Sequence, residues 1–298
     1  MGEIEFTGGS FRTFLLAGAL AGTAEHTGLY PFDTVKTHLQ ATTVTRESPA
    51  LTMRAGATAI YRKTGVRGFF RGISAVISGA APAHAVYFSA YEVAKKRFRI
   101  EDHRDVSPLC EPAPYQPARS AAAGIVASMA GDFFHVPMDT VKQRMQLGAR
   151  KYSSAAACVR SVVRNEGARA LWASYSTTLA MSVPYSAAYF SAYESMCKVM
   201  YANSGVSDYD ASNHFAAGAG AGMVAAALTN PLDVAKTRLQ TQGETGVRYR
   251  GLVDSLRQIV LREGLRGCFA GVKPRMVFHS TSGALSWSVY EWAKYMLD

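Results

Sequence analysis

Apolar stretches rich in glycine and alanine alternate with short polar stretches along this 298-residue chain, and the same alternation occurs three times. In the first third, an apolar stretch over residues 11–30 is followed by an amphipathic stretch over 48–63 and a second apolar stretch over 69–98. Long apolar runs with many small residues are typical of helices that pack closely inside a membrane. Each third is therefore predicted to hold two long helices and one short surface helix.

The other two thirds repeat this plan. Their long stretches lie at 119–146, 171–200, 213–240 and 268–297, and their short amphipathic stretches lie near 153–165 and 250–262. Mean hydropathy is close to zero, which fits membrane helices that each keep one face towards an aqueous cavity. The pattern predicts an all-α membrane protein with six transmembrane helices and three short surface helices.

A ten-residue motif marks the end of the first long stretch in each third. It reads Pro-x-Asp-x-x-Lys with Gln at the tenth place, and it occupies residues 31–40, 137–146 and 231–240. A single Asp and Lys three apart usually form a solvated pair on a helix surface. Three copies roughly a hundred residues apart indicate a tripled unit. We predict repeats at 1–104, 105–206 and 207–298 within one structural body, with helix kinks at Pro31, Pro137 and Pro231.

Composition excludes several other classes of protein. The formal net charge is +10, but the basic residues lie at repeated helix ends and no nucleic-acid-binding motif is present, so no nucleic-acid partner is expected. The four cysteines lack the CxxC spacing of a metal or redox site. Motifs typical of hydrolases, metalloproteases and nucleotide-binding enzymes are absent too, and the chain is predicted not to be an enzyme.

The tripled Pro-x-Asp-x-x-Lys motif resembles that of the mitochondrial carrier family, and the resemblance covers nearly the whole chain. It implies three pseudosymmetric repeats around a central cavity, with the surface helices on the matrix side. It also implies a multi-pass transporter of the mitochondrial inner membrane that binds anionic lipid such as cardiolipin. One chain would suffice as a functional monomer, and no cofactor is expected.

The resemblance further implies two gates. On the matrix side it predicts the ion pairs Asp33–Lys142, Asp139–Lys236 and Asp233–Lys36, braced by Gln40, Gln146 and Gln240. On the cytosolic side it predicts a gate built from Glu92, Lys95, Glu194, Glu291 and Lys294. Repeat two has Cys197 where the others have lysine, so the cytosolic gate is expected to be the weaker one.

Substrate positions follow by alignment of the even-numbered helices. They are Gly79, Met181 with Ser182, and His279. None is Arg or Lys, which disfavours an anionic substrate. His26, His84, His214 and Asp132 lie at further cavity positions, and imidazole, carboxylate and thioether groups suit a first-row transition-metal ion.

Three segments resemble the mitoferrins, the iron carriers of this family. They are Glu25-His26 ahead of Tyr30-Pro31, the stretch 79–88 with Pro82-Ala83-His84, and Ser286-Trp287-Ser288-Val289-Tyr290-Glu291. This resemblance implies Fe(II), and also other divalent metals, as the transported substrate. Two alternatives stay open: a carrier of an organic cation or zwitterion such as S-adenosylmethionine, and a proton-leak protein.

Overall fold

The computed structural model describes residues 25, 27–42, 52–98, 116–148, 151–204, 211–282 and 285, and all regular elements within these ranges are helices. The α-helices are α1 Tyr30–Ala41, α2 Met53–Thr64, α3 Ile73–Arg97, α4 Gln116–Leu147, α5 Ala155–Glu166, α6 Tyr175–Ser204, α7 Ala211–Leu228, α8 Asn230–Thr245, α9 Leu252–Cys268 and α10 at 272–282. Two 3-10 helices, Val66–Phe70 and Ala168–Trp172, precede α3 and α6. The all-α prediction is confirmed.

The three short surface helices lie close to their predicted positions. Thr52 and Ser154 cap α2 and α5 by accepting hydrogen bonds from Ala55 N and Ala157 N. Both helices end at a glycine of positive φ, Gly65 at 67° and Gly167 at 86°, a backbone conformation that only glycine adopts without strain. The first of these helices begins at Met53 rather than at the predicted residue 48, because Thr52 provides the cap.

The three motif prolines do not act alike. Pro31 and Pro231 lie in the first turn of a new helix, where the missing amide hydrogen costs no hydrogen bond. Pro137 lies inside α4, which continues through it. Helix α4 is thus continuous at Pro137, and the kink predicted there stays a prediction.

Small residues fill the contacts between the long helices. Eight of the described alanines have no solvent exposure: Ala75, Ala123, Ala127, Ala217, Ala221, Ala225, Ala226 and Ala235. Close approach of helix backbones through small side chains is the packing mode of membrane bundles. Large apolar side chains point outward instead, among them Ile77, Val93, Val183, Phe190 and Val199. The bundle therefore presents an apolar outer surface around a small-residue interior.

Length and composition alone identify few membrane spans. Within the described ranges, no single helix is both long enough and apolar enough to cross a membrane. The bent pair Phe215–Leu228 and Asn230–Thr245, with 64° between its two helices, meets both requirements when the helices are taken together.

Each motif helix is attached to the chain turn that leads into the next long helix of its own repeat. Thr34 and Thr140 donate hydrogen bonds to the carbonyls of Phe69 and Leu171. In repeat three, Asn230 Nδ2 donates to the carbonyls of Cys268 and Ala270, at 2.8 and 3.2 Å. These buried bonds fix the motif helix relative to its neighbour within each repeat.

Replacing Asn230 by alanine is expected to destabilise the bundle, because two buried carbonyls lose their donor. The expected loss is about 2 kcal/mol, which corresponds to a fall of about 5 °C in the Tm of the detergent-solubilised protein. Thr58→Ala is the control, since the exposed Thr58 hydroxyl bonds only to Arg54 of its own helix. Equal Tm values for the two variants would contradict this role of Asn230.

Candidate functional site

The ends of α1, α4 and α8 meet in a ring of three ion pairs. Lys142 Nζ lies 2.8 Å from Asp33, Lys236 Nζ lies 3.0 Å from Asp139, and Lys36 Nζ lies 2.8 Å from Asp233. Each pair joins one repeat to the next, so the ring closes on itself. All three predicted pairings are present in the structure.

The three motif glutamines bond to the same aspartates. Gln146 Nε2 donates to Asp33 at 3.0 Å, Gln240 Nε2 to Asp139 at 3.0 Å, and Gln40 Nε2 to Asp233 at 2.8 Å. Gln40 also accepts a bond from the Thr237 hydroxyl at 2.8 Å. Each aspartate thus receives both a lysine and a glutamine from the neighbouring repeat.

Partial burial sets the strength of this ring. The relative solvent exposure of the six charged side chains lies between 6% and 17%. At this depth, attraction is stronger than in water, but each charge has lost much of its hydration. Such pairs hold as long as both partners are present, and they can separate when other groups compensate the charges.

Two arginines clamp the ring through the backbone carbonyls of its glutamines. Arg144, which has no exposure, donates from Nε to the carbonyl of Gln240 at 2.8 Å and forms a bidentate pair with Glu166. Arg238 donates from Nε to the carbonyl of Gln40 at 3.0 Å and forms a bidentate pair with Glu263. Forked pairs of this kind are rigid and directional. The clamps join repeat two to three and repeat three to one.

The interface between repeats one and two is built differently. Repeat one has His38 at the arginine position and Thr64 at the glutamate position. His38 Nδ1 lies 3.0 Å from the Thr34 carbonyl of its own helix, and the Thr64 hydroxyl donates to Ile60 of its own helix. The Asp33–Lys142 pair therefore joins this interface without an arginine clamp.

The predicted substrate positions have specific neighbours. His279 Nδ1 lies 3.1 Å from the Tyr185 hydroxyl. At Gly79, an added Cβ would come within 2.4 Å of Met138 Cγ, so Met138 of α4 occupies the space that a side chain would take. The Ser182 hydroxyl donates to Thr178 of its own helix. Of the pair Met181 and Ser182, Met181 makes the contact between helices.

Sequence reasoning missed one charged group at this depth. Arg275, on α10, is only 2% exposed, and its Nη2 lies 4.0 Å from Met181 Sδ. The aligned substrate positions themselves hold no Arg or Lys, but Arg275 places a positive charge beside one of them. The signal was available, because Arg275 lies fifteen residues before Tyr290, where the other repeats have the uncharged Val76 and Thr178.

Glu25, to which the sequence analysis assigned no role, accepts a hydrogen bond from the Ser282 hydroxyl. Asp132 is half-buried on α4.

Several predicted residues cannot be placed. His26, Glu291 and Lys294 lie outside the described residues, as do the side chains of His84 and His214. Glu92 and Glu194 of the predicted cytosolic gate are exposed. Among the side chains that the structure describes, no three from His, Cys, Asp and Glu gather into a group that could hold a metal ion.

Comparison with known proteins identifies the family. The model of the family "Mitochondrial carrier protein" matches residues 9–102, 113–204 and 207–298. The chain therefore belongs to the mitochondrial carrier family, and it is a multi-pass transporter of the mitochondrial inner membrane.

Among individual relatives, the chain is similar to proteins named mitoferrin. It is 42% identical to Mitoferrin of Dictyostelium discoideum, over 97% of this chain and 96% of that protein. It is 36% identical to Mitoferrin of Caenorhabditis briggsae, over 97% and 93% of the two chains. It is 34% identical to human Mitoferrin-1, over 98% and 85%.

Rebuilding the third clamp is expected to stabilise the protein. His38→Arg together with Thr64→Glu would supply the forked pair that repeats two and three have, and should raise Tm by about 2 °C. His38→Arg alone would leave a cation without its acid and should lower Tm. Thermal unfolding of the wild type, the two single variants and the double variant measures the coupling. Additive single effects would contradict the inferred pairing.

The clamp also predicts a pH dependence. Hydrogen bonding and charge from Arg144 hold the pKa of Glu166 below its ordinary value of 4.5, against the opposing effect of burial. A lowered folded-state pKa stabilises the fold above the unfolded-state pKa, and this stabilisation is lost as pH falls through the folded-state value. Wild-type Tm should therefore drop more steeply below about pH 4.5 than that of Glu166→Gln. Parallel curves would contradict the clamp.

Proposed function

We propose that this chain imports ferrous iron into the mitochondrial matrix, and that it accepts other divalent metals. The supporting observation is the chemistry at the substrate positions. The Met181 thioether on α6 contacts α10, and the His279 imidazole on α10 contacts α6. Such soft and borderline ligands suit transition-metal ions. Similarity to proteins named mitoferrin over nearly the full chain supports the same substrate.

Transport proceeds by alternating access. The three-pair ring closes the matrix side while the cavity opens towards the cytosol. A bound metal compensates part of the free energy of separating the ion pairs, and the ring opens to the matrix. A ligand shifts this equilibrium only by its difference in affinity between the two states. The cytosolic gate is the weaker barrier, because Cys197 replaces one of its lysines.

The proposed path of the metal uses four residues whose sequence positions align with the cavity of the carrier family. They are His214, His26, His84 and Asp132. Scattered ligands of this kind give the modest affinity that a transporter needs at each step, in contrast to a closed tetrahedral site. Membrane-embedded ionisable residues usually serve such paths.

The proposal also includes the lipid partner and the oligomeric state of the protein. Basic residues at the helix ends favour anionic lipid, with cardiolipin as the expected partner. The three repeats complete one cavity within a single chain, so a monomer is the functional unit.

Fe(II) uptake into liposomes that contain purified protein and a trapped metal-quenched dye tests the function. Wild type is expected to show saturable uptake. The double variant His26→Ala/His84→Ala should lose at least about 90% of it, because two imidazole ligands are removed from the path. His103→Ala, at a position outside the three segments that the family model matches, is the matched control and should transport normally.

Two outcomes would contradict the proposal. Wild type that moves no iron would exclude the metal substrate, and uptake by the double variant at the wild-type rate would exclude the histidine path. Exchange of labelled S-adenosylmethionine without iron uptake would favour an organic-cation carrier. Proton current without metal would favour a leak protein.

A further inference from the structure

Arg275 forms contacts on three sides within the bundle. Its Nη1 donates to the carbonyl of Ala226 at 2.6 Å, and its Nη2 donates to the Thr229 hydroxyl at 2.9 Å. Both partners lie at the break between α7 and α8, where the chain bends by 64°. The guanidinium is thereby anchored at the bend of the third motif helix.

The same guanidinium lies between a predicted substrate position and the matrix gate. Nη2 lies 4.0 Å from Met181 Sδ, and Nε lies 3.3 Å from Asp233 Oδ2. Nε is buried but has no hydrogen-bond partner among the described residues. The contact with Asp233 is therefore an ion pair that can still become closer and better aligned.

A single oxygen of Asp233 serves three donors. Oδ2 receives Lys36 Nζ at 2.8 Å and Gln40 Nε2 at 2.8 Å, in addition to the Arg275 contact. Asp33 and Asp139 have no arginine among their ion-pair partners in the described part of the chain. Any strengthening of the Arg275 contact must therefore weaken the hold of Lys36 on this oxygen.

We propose that Arg275 is a positioning residue that couples metal binding at Met181 to opening of the matrix gate at Asp233. This inference rests on the proposed function. Arg275 Nη2 lies 4.0 Å from the Met181 sulfur, so a metal cation bound to that sulfur repels the guanidinium. The guanidinium moves onto Asp233 Oδ2, and Lys36 is released while the charge of Asp233 stays compensated.

Repeat three alone carries this device. Val76 and Thr178, at the equivalent positions of repeats one and two, have no charge. The coupling consequently acts on one of the three ion pairs, and the remaining two follow once the ring is broken. The cost of the device is a lower affinity for the metal, because a fixed positive charge lies beside one of its ligands.

Kinetics of Fe(II) uptake by Arg275→Gln in liposomes tests the coupling. The variant should show a KM lowered roughly threefold or more, since the repelling charge is gone, together with a lower Vmax, since Lys36 is no longer displaced. Arg275→Lys should also lower KM but keep more of Vmax, because a shorter ammonium reaches Asp233 and leaves Met181. It carries the test alone if Arg275→Gln does not fold.

Two controls separate this role from a structural one. Lys273→Gln removes an exposed positive charge from the same helix and should leave KM and Vmax unchanged. In a Met181→Leu background, Arg275→Gln should no longer lower KM, because the ligand beside the charge is missing. A merely structural role would lower Vmax in both backgrounds without lowering KM.

The outcomes of these uptake measurements distinguish failure of the coupling from failure of the proposed function. Saturable wild-type uptake with an unchanged or raised KM in Arg275→Gln and Arg275→Lys would overturn the coupling and leave the proposed function standing. Wild type that transports no iron would overturn the proposed function, and this inference with it. A lowered KM that disappears in the Met181→Leu background supports the coupling.

Discussion

Charge compensation between repeats is the constraint on which the three motif helices of this protein depend. Asp33, Asp139 and Asp233 each lie in a partly buried position, and each obtains its lysine and its glutamine from the adjoining repeat. Within repeat two, Lys142 comes only to 4.0 Å from its own Asp139, so the close contacts are those between repeats. Removing one partner would leave a buried charge uncompensated, which costs about 3 to 5 kcal/mol. The ring therefore holds three helix ends together as one cooperative unit.

The ring is nearly threefold in its ion pairs but not in what surrounds them. Arginine clamps reinforce two interfaces, whereas His38 and Thr64 leave the interface between repeats one and two without one. Repeat three adds Arg275 to its aspartate and connects it to Met181. The three interfaces consequently differ in strength and in their connection to the cavity. In the proposed mechanism, such differences give the three ion pairs a preferred order of opening.

Repetition decided which features could be predicted from the sequence. The Pro-x-Asp-x-x-Lys motif occurs three times, and the family resemblance supplied its pairing between repeats, so the helices and the ion pairs were predictable. Arg275 occurs in one repeat alone, and its contacts depend on a bend in another helix. To predict the clamps, Arg144 would have to be paired with Glu166 and Arg238 with Glu263. Each pair is separated by more residues than a single motif spans. A difference between repeats such as Arg275 is visible in the sequence, but the contacts that it makes had to come from the structure.

Charge exchange across one interface tests the central claim most directly. Asp139→Lys and Lys236→Asp each place like charges together, so each single variant should lose Tm and transport. The double variant reverses the pair and restores opposite charges at the same place, so it should recover a large part of both. Measuring Tm in detergent and Fe(II) uptake for all four proteins gives the coupling between the two residues. A double variant no better than its singles would contradict a gate built on this ion pair.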